Sequence, residues 1–212
     1  MKIAIFGASG ATGKLLTEKC LAAGHTVSAL VRTPSAFPYA DKVRVVQGDV
    51  LSPTAVAETL AGADAVFSAL GARSLGEDHT LERGIPLIVE AMIEAHVSRI
   101  IVLGSAGALD TAMNKQPSWQ KWLVENLVYR TLLKWPVIAQ RCQYAALSSS
   151  PLDWTMAMPP MLTNARGRGS VRVDPDALPP GATRISRADV ADFLFAQLES
   201  EQWSRKAVYV SR

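Results

Sequence analysis

Two cysteines and three histidines give this 212-residue chain almost nothing from which to build a metal centre. Cys20 and Cys142 lie far apart, and His25, His79 and His96 are scattered, so neither zinc-site spacing nor a disulfide framework is present. Cys20 shares a helical face with Leu16 and Ala23, which predicts burial as a small hydrophobe. Long apolar runs are missing too. Nothing approaches bilayer-spanning length, and the N-terminus enters a strand pattern at once, which leaves no room for a signal peptide. A cytoplasmic location and no membrane partner are expected. Basic clusters are equally scarce for a chain of net charge +3 and pI near 9.0. The densest, Arg166-Gly167-Arg168, reads as a solvated loop, and no nucleic-acid partner is expected. What remains is an ordinary globular composition, 49% apolar and 19% charged, long enough for one domain over 1–212.

The most informative segment is Gly7-Ala8-Ser9-Gly10-Ala11-Thr12-Gly13. It follows the apolar run Ile3-Ala4-Ile5-Phe6 and precedes a helical pattern from Lys14 to Leu21. Strand, glycine turn and helix form the start of a βαβ unit. Missing side chains at such a turn let the backbone approach a pyrophosphate, and free N–H groups at the helix start point at its charge. The spacing is G-x-x-G-x-x-G, and a plain strand-to-helix turn is the competing reading. Three glycines between this strand and this helix favour the nucleotide.

Strand and helix patterns then alternate. Thr26–Val31 and Val43–Gln47 read as strands, and Ser52 as an N-cap with Pro53 at the first position of a helix to about Leu60. Asp64–Leu70 reads as a strand, a helix carries Ile85, Ile88 and Met92 on one face, and 100–103 reads as a fifth strand. This order predicts an α/β fold: a Rossmann-type, doubly wound parallel sheet covered by helices on both faces, with ligands at the carboxyl ends of the strands. Residues 1–105 form the cofactor-binding half, and 106–212 the remaining sheet and a small irregular substrate-side region. There, Trp119 to Lys134 has helical spacing and is expected to bury one face. Pro136 begins another helix ending near residues 148–150, Leu152–Met158 reads as a strand, and Val171–Val173 as a short one. Ser186 is an N-cap for a helix through Leu198, and 207–210 forms a final strand.

The second strand reports on the cofactor. In dinucleotide folds an acid at its end bonds a free ribose 2′-hydroxyl, whereas arginine accommodates a 2′-phosphate. Here the strand ends at Arg32, which favours NADP(H) over NAD(H); the alternative is an arginine that solvates a loop or stacks on adenine. Asp49 and Val50 follow the third strand, where an adenine would lie, although Asp49 also suits a turn with Gly48. Leu70, Gly71 and Arg73 follow the fourth strand, near the cofactor's centre; Arg73 is equally readable as a surface charge.

With its glycine turn, Leu30-Val31-Arg32, Gly48-Asp49-Val50 and Ala69-Leu70-Gly71, the chain resembles the atypical short-chain dehydrogenase/reductase superfamily. Within it, the NmrA-like NAD(P)-binding group and the biliverdin-IXβ/flavin reductases are most similar. Pro151-Leu152-Asp153-Trp154-Thr155 leading to Met158-Pro159-Pro160, and Ile185-Ser186-Arg187-Ala188-Asp189-Val190-Ala191, extend the likeness over nearly the whole chain; it is weakest from Asp110 to Gln143. The resemblance implies Ser9, Ala11 and Thr12 at the phosphates beside Gly7, Gly10 and Gly13, and Arg32 at the 2′-phosphate. It also implies Asp49 and Val50 at the adenine, and Leu70, Gly71 and Arg73 along the middle. Ser105, Ala106, Met158 and Pro159 then border the nicotinamide. Flavin-reductase relatives carry a second arginine shortly after the first, and Ala36 stands there in this chain.

The Tyr-x-x-x-Lys pair of most short-chain dehydrogenases, in which lysine lowers the tyrosine pKa, is absent. Tyr39, Tyr129, Tyr144 and Tyr209 are not followed four places on by lysine, and Tyr129 with Lys134 is one residue too long for an α-helical face. The resemblance then implies one of two functions. One is an NADPH-dependent reductase that passes hydride to a planar acceptor of flavin, quinone or tetrapyrrole type. Ser105 is its candidate catalytic residue, or else a cap of the turn after the strand, and Tyr144 is a pocket or packing residue. The other is a non-catalytic NADP(H)-binding redox sensor with a protein partner, docked through the 119–134 segment. A monomer or homodimer is expected in either case.

Overall fold

The computed structural model describes residues 1–72 and 74–212. Its first strand, β1 (Lys2–Phe6), is followed by α1 (Ala11–Ala22), β2 (Thr26–Val31), β3 (Arg44–Gln47), α2 (Pro53–Leu60), β4 (Ala65–Ser68), α3 (Thr80–Glu94) and β5 (Arg99–Leu103). The second half contributes α4 (Ser118–Leu123), a π-helical segment (Val124–Leu132), α5 (Lys134–Ser148) and β6 (Asp153–Met158). It continues through β7 (Met161–Thr163), β8 (Arg172–Asp174), β9 (Arg184–Ser186), α6 (Arg187–Ala196) and β10 (Lys206–Ser211).

Eight strands form one sheet in the order β3-β2-β1-β4-β5-β6-β10-β8, parallel except where β8 runs against β10. The chain winds outward from β1 to β3 and restarts on the other side at β4, so the topological switch lies between β1 and β4. Each strand divides its side chains between two cores with period two. Ile3, Ile5, Val27, Ala29, Phe67, Ile101 and Val208 meet Leu16 and Cys20 of α1 and Val190 and Leu194 of α6. Ala4, Phe6, Val66, Ile100, Val102 and Met156 meet Leu60 of α2, Ile85, Ile88 and Met92 of α3, and Leu147 of α5. Burying each of these large side chains contributes about 1.5–3 kcal/mol. The continuous apolar runs of β1 and β5 are therefore the signature of a parallel sheet covered on both faces.

The expected caps form: Ser52 Oγ accepts from the Ala55 N–H at 3.4 Å, and Ser186 Oγ from that of Asp189 at 3.0 Å. Cys20 is buried, and burial pushes its thiol up to about 12. Two expectations need correction. α1 starts at Ala11 rather than Lys14, because the last glycines of the turn already belong to the helix start. The 119–134 segment buries its face only in part: Val124 packs against the core and Tyr129 is half-buried. Trp119 and Trp122 are 70% and 65% exposed, and neither α4 nor the π-helical stretch contains a fully buried residue. The i→i+5 winding, seen where the Leu133 N–H meets the Val128 carbonyl at 2.8 Å, moves apolar positions off the stripe that 3.6-residue spacing predicts. The strands β7 and β9, parallel to each other at Leu162 and Ile185, lie in a stretch that proline and glycine marked as loop and helix entry.

Candidate cofactor cleft and acceptor pocket

Parallel register brings the strand ends level, Phe6 lying beside both Leu30 and Ser68. Gly7 leaves β1 at φ +78°, and a Cβ there would stand 2.7 Å from the Ala69 carbonyl. A Cβ on Gly13 would overlap the Gly7 carbonyl, so this glycine serves helix-to-turn packing. Gly10 caps α1 with no side-chain acceptor, and the first α-helical bond runs from the Lys14 N–H to Gly10 O at 2.9 Å. The N–H groups of Ala11, Thr12 and Gly13 are consequently the orphan donors of a helix whose first turn holds no acid. This is a cradle for a phosphate group, and the residues present fit a dinucleotide.

A cleft of about 280 Å³ opens over this turn, lined by Gly7, Ser9, Gly10, Arg32, Gly48, Asp49, Val50, Leu70 and Gly71. The sequence did not single out Leu30, Ala69 and Thr80, which also line it. The strand pattern placed Leu30 and Ala69 at strand ends, whereas Thr80 reaches the cleft only through the packing of α3. Arg32 is exposed and makes no ion pair among the described residues. Asp49 Oδ1 accepts the Leu51 N–H at 3.0 Å, so Asp49 builds a turn as well as facing the cleft. Val50 is buried against α3, where a Cβ on Gly84 would meet its Cγ1 at 2.9 Å. Ala36 closes a short turn, Pro34–Ala36, just beyond Arg32. Arg73 lies outside the described residues.

The loop after β4 leads from Gly71 in this cleft to Ala72, Ser74 and Leu75 in a second cavity of about 540 Å³. Gly104, Ser105, Leu133, Pro136, Pro159, Pro160, Leu162 and Arg187 also line it. Two hydrogen bonds join the loops beyond β5 and β6: Gly104 N–H to Ala157 O at 2.8 Å, and Ala106 N–H to Pro159 O at 2.9 Å. The Ser105 hydroxyl makes no capping bond, which removes the capping role expected as its alternative. Ala106 and Met158 are buried in the core and do not line the cavity, so of the residues expected at the nicotinamide only Ser105 and Pro159 reach it. Tyr144 packs edge-on to Trp154 at 6.0 Å and does not line the cavity.

Tyr129, in the π-helical segment, and Lys134, at the start of α5, both line a separate groove of about 790 Å³, with Glu125 and Arg141. Lys134 Nζ lies 4.9 Å above the Trp135 ring, while burial and the nearby Glu125 carboxylate push the Tyr129 phenol up. Neither residue lines the Ser105 cavity.

A glycine turn at the switch point of a parallel sheet, opening onto unpaired helix donors and an arginine, defines a Rossmann-type nucleotide-binding protein. The chain belongs to the NAD(P)H-binding family, whose model matches residues 7–201. The uncharacterized protein YwnB of Bacillus subtilis is 35% identical over 109 residues, which cover 51% of this chain and 49% of that protein. The chain thus spans about half the length of this curated relative. A crystallised Burkholderia pseudomallei protein described as exported is 30% identical, with all of both chains covered and a TM-score of 0.82. A Veillonella parvula short-chain dehydrogenase/reductase in complex with NADP is 20% identical, covering 100% of this chain and 94% of that one, TM-score 0.82. ChuY of Escherichia coli O157:H7, an anaerobillin reductase, is also 20% identical, covering 100% and 97%, TM-score 0.83. These last two show the fold. Among the described residues no helix is long and apolar enough to cross a membrane.

Proposed function

We propose that this chain is a cytoplasmic NADPH-dependent reductase that acts on a flat conjugated acceptor of flavin, quinone or tetrapyrrole type, without a Tyr-x-x-x-Lys pair. The observation that supports the reading is that consecutive residues serve both cavities: Gly71 lines the glycine-turn cleft and Ala72 the Ser105–Pro159 cavity. When bound, NADPH supplies a hydride, two electrons with one proton, and a further proton from solvent completes reduction of the acceptor. Gly7, Ser9, Gly10 and the N–H groups of Ala11 to Gly13 hold the pyrophosphate, and Arg32 forks onto the 2′-phosphate. Asp49 and Val50 border the adenine, and Leu70, Gly71 and Arg73 the middle of the cofactor. Pro159 borders the nicotinamide, backed by the buried Ala106 and Met158, and Ser105 orients the carboxamide or the acceptor through its hydroxyl. The raised Tyr129 phenol, in a separate groove, supports a mechanism in which that side chain relays no proton. The NADP held by the Veillonella protein supports the cofactor assignment.

One observation favours a second reading. The exposed Trp119, Trp122, Leu127 and Leu132 suit a docking face, as expected of an NADP(H)-binding sensor that signals to a partner without turnover. A single assay separates the two. Protein mixed with NADPH and a panel of flavins, quinones and biliverdin is followed at the NADPH absorbance band. Oxidation well above the protein-free rate is expected; tight NADPH binding with no turnover across the panel sinks the reductase and leaves the sensor.

A further inference from the structure

We propose that the arginine cleft at the start of α6 is a binding site for a small multivalent phosphate anion, separate from the cofactor cleft. Arg166-Gly167-Arg168 is not a loose solvated loop. Asp189, buried, accepts the Arg168 N–H at 2.7 Å and the Gly169 N–H at 3.0 Å on one oxygen, and the Ser186 hydroxyl at 2.7 Å on the other. Gly169 takes φ +72°, and a Cβ on Gly167 would press on Asp189 Oδ1 at 3.1 Å. The loop is therefore held in one conformation, which lowers the ordering cost of binding.

So anchored, the loop carries Arg166 and Arg168 to the rim of a cleft of about 520 Å³, whose other cations are Arg184 and Arg212. Four arginines line it with one side-chain carboxylate, that of Asp189, which already receives three donors. Three arginines elsewhere are matched with acids: Arg44 with Glu58, Arg99 with Asp153, Arg141 with Asp110. Arg166, Arg184 and Arg212 have no carboxylate partner among the described residues, and Arg168 feels Asp189 only through its charge. Nearby Arg172 turns to the Arg212 and Pro180 main-chain oxygens, and Arg187 to Asn164, so neither neutralises the cleft.

Gathering like charges opposes folding unless an anion offsets it. Guanidinium forks match phosphate oxygens two at a time. Four forks exceed what one phosphate's oxygens can occupy, and the cleft is far larger than one phosphate, so a di- or triphosphate is the ligand class. The site lies across the β7–β9 ribbon from the Ser105 cavity: Leu162 and Arg187 face that cavity, whereas Thr163 and Ser186 face the arginine cleft.

Inorganic pyrophosphate is the probe, titrated calorimetrically into the full chain with and without saturating NADPH. NADPH binding is followed separately by its fluorescence, so failure of the cofactor reading is seen independently. A pyrophosphate site that persists in NADPH and weakens about tenfold or more in the Arg166→Gln/Arg184→Gln variant is expected. Absence of binding, binding unchanged in the variant, or complete competition by NADPH overturns the proposal. A single-stranded oligonucleotide bound more tightly than pyrophosphate through the same arginines overturns it in favour of a nucleic-acid surface.

Discussion

Residues 1–105 and 118–136 use apolar side chains in opposite ways. In the first stretch, strand and helix residues such as Ile5, Phe67 and Ile85 are fully buried and sort into two cores by simple period. In the second, Trp119, Trp122, Leu127 and Leu132 stand in solvent on a chain that changes from α to π winding. The first stretch positions the glycine turn by strand register, which tolerates almost no displacement. The second forms one wall of the Ser105 cavity through Leu133 and Pro136, at a junction between helices. What the protein holds is thus built on rigid elements, and what it acts on is bounded partly by an irregular one.

The largest test of that contrast is Gly7→Val. Positive φ and the closeness of the Ala69 carbonyl leave no space for the side chain, so a loss of about 3 kcal/mol or more is expected in denaturant unfolding. A cost below about 1 kcal/mol would show that the strand ends are not the rigid part. Leu16→Ala, in the core under α1, is expected to cost about 3 kcal/mol, while Trp122→Ala stays within about 0.5 kcal/mol. A large loss at Trp122 would erase the difference between the two stretches.

Arg32→Ala should weaken NADPH by about ten- to a hundredfold in fluorescence titrations and leave NADH nearly unchanged. Equal losses for both cofactors would remove the 2′-phosphate from the argument. The smallest effect concerns Asp189. Desolvation raises its pKa, but the Ser186 hydroxyl, the Gly169 and Arg168 N–H groups and the Arg168 charge together outweigh that and hold it below the ordinary carboxylate value. A depressed folded-state pKa contributes stability that is complete above the unfolded value, about 4, and is lost as pH falls through the folded one. The stability gap between the wild type and Asp189→Asn should therefore be widest near neutrality and shrink in acid. A gap independent of pH would mean that the carboxylate's charge does not anchor the Arg166–Gly169 loop.

Much of this was legible locally. Ile3-Ala4-Ile5-Phe6 before three spaced glycines marks a buried parallel strand and its phosphate turn, and Ser52-Pro53 marks a helix start. Each depends on residues within a few positions of one another. Thr80 in the cofactor cleft was not legible, because only the packing of α3 brings it there. The π winding of Val124–Leu132 was not legible either, since nothing in the residues themselves announces i→i+5 bonding.

The sequence alone determined the order of strands and helices in the main sheet, the glycine cradle and the arginine that ends the second strand, since periodicity and backbone sterics act over short separations. Tertiary structure decided which distant residues meet. It brought Ser105, Leu162 and Arg187 to one cavity, buried the side chain of Met158 and left Trp122 outside. It also drew Arg166, Arg168 and Arg184 around one cleft. The physical reason is that these arrangements come from packing and charge between segments far apart in the chain, which no local period encodes.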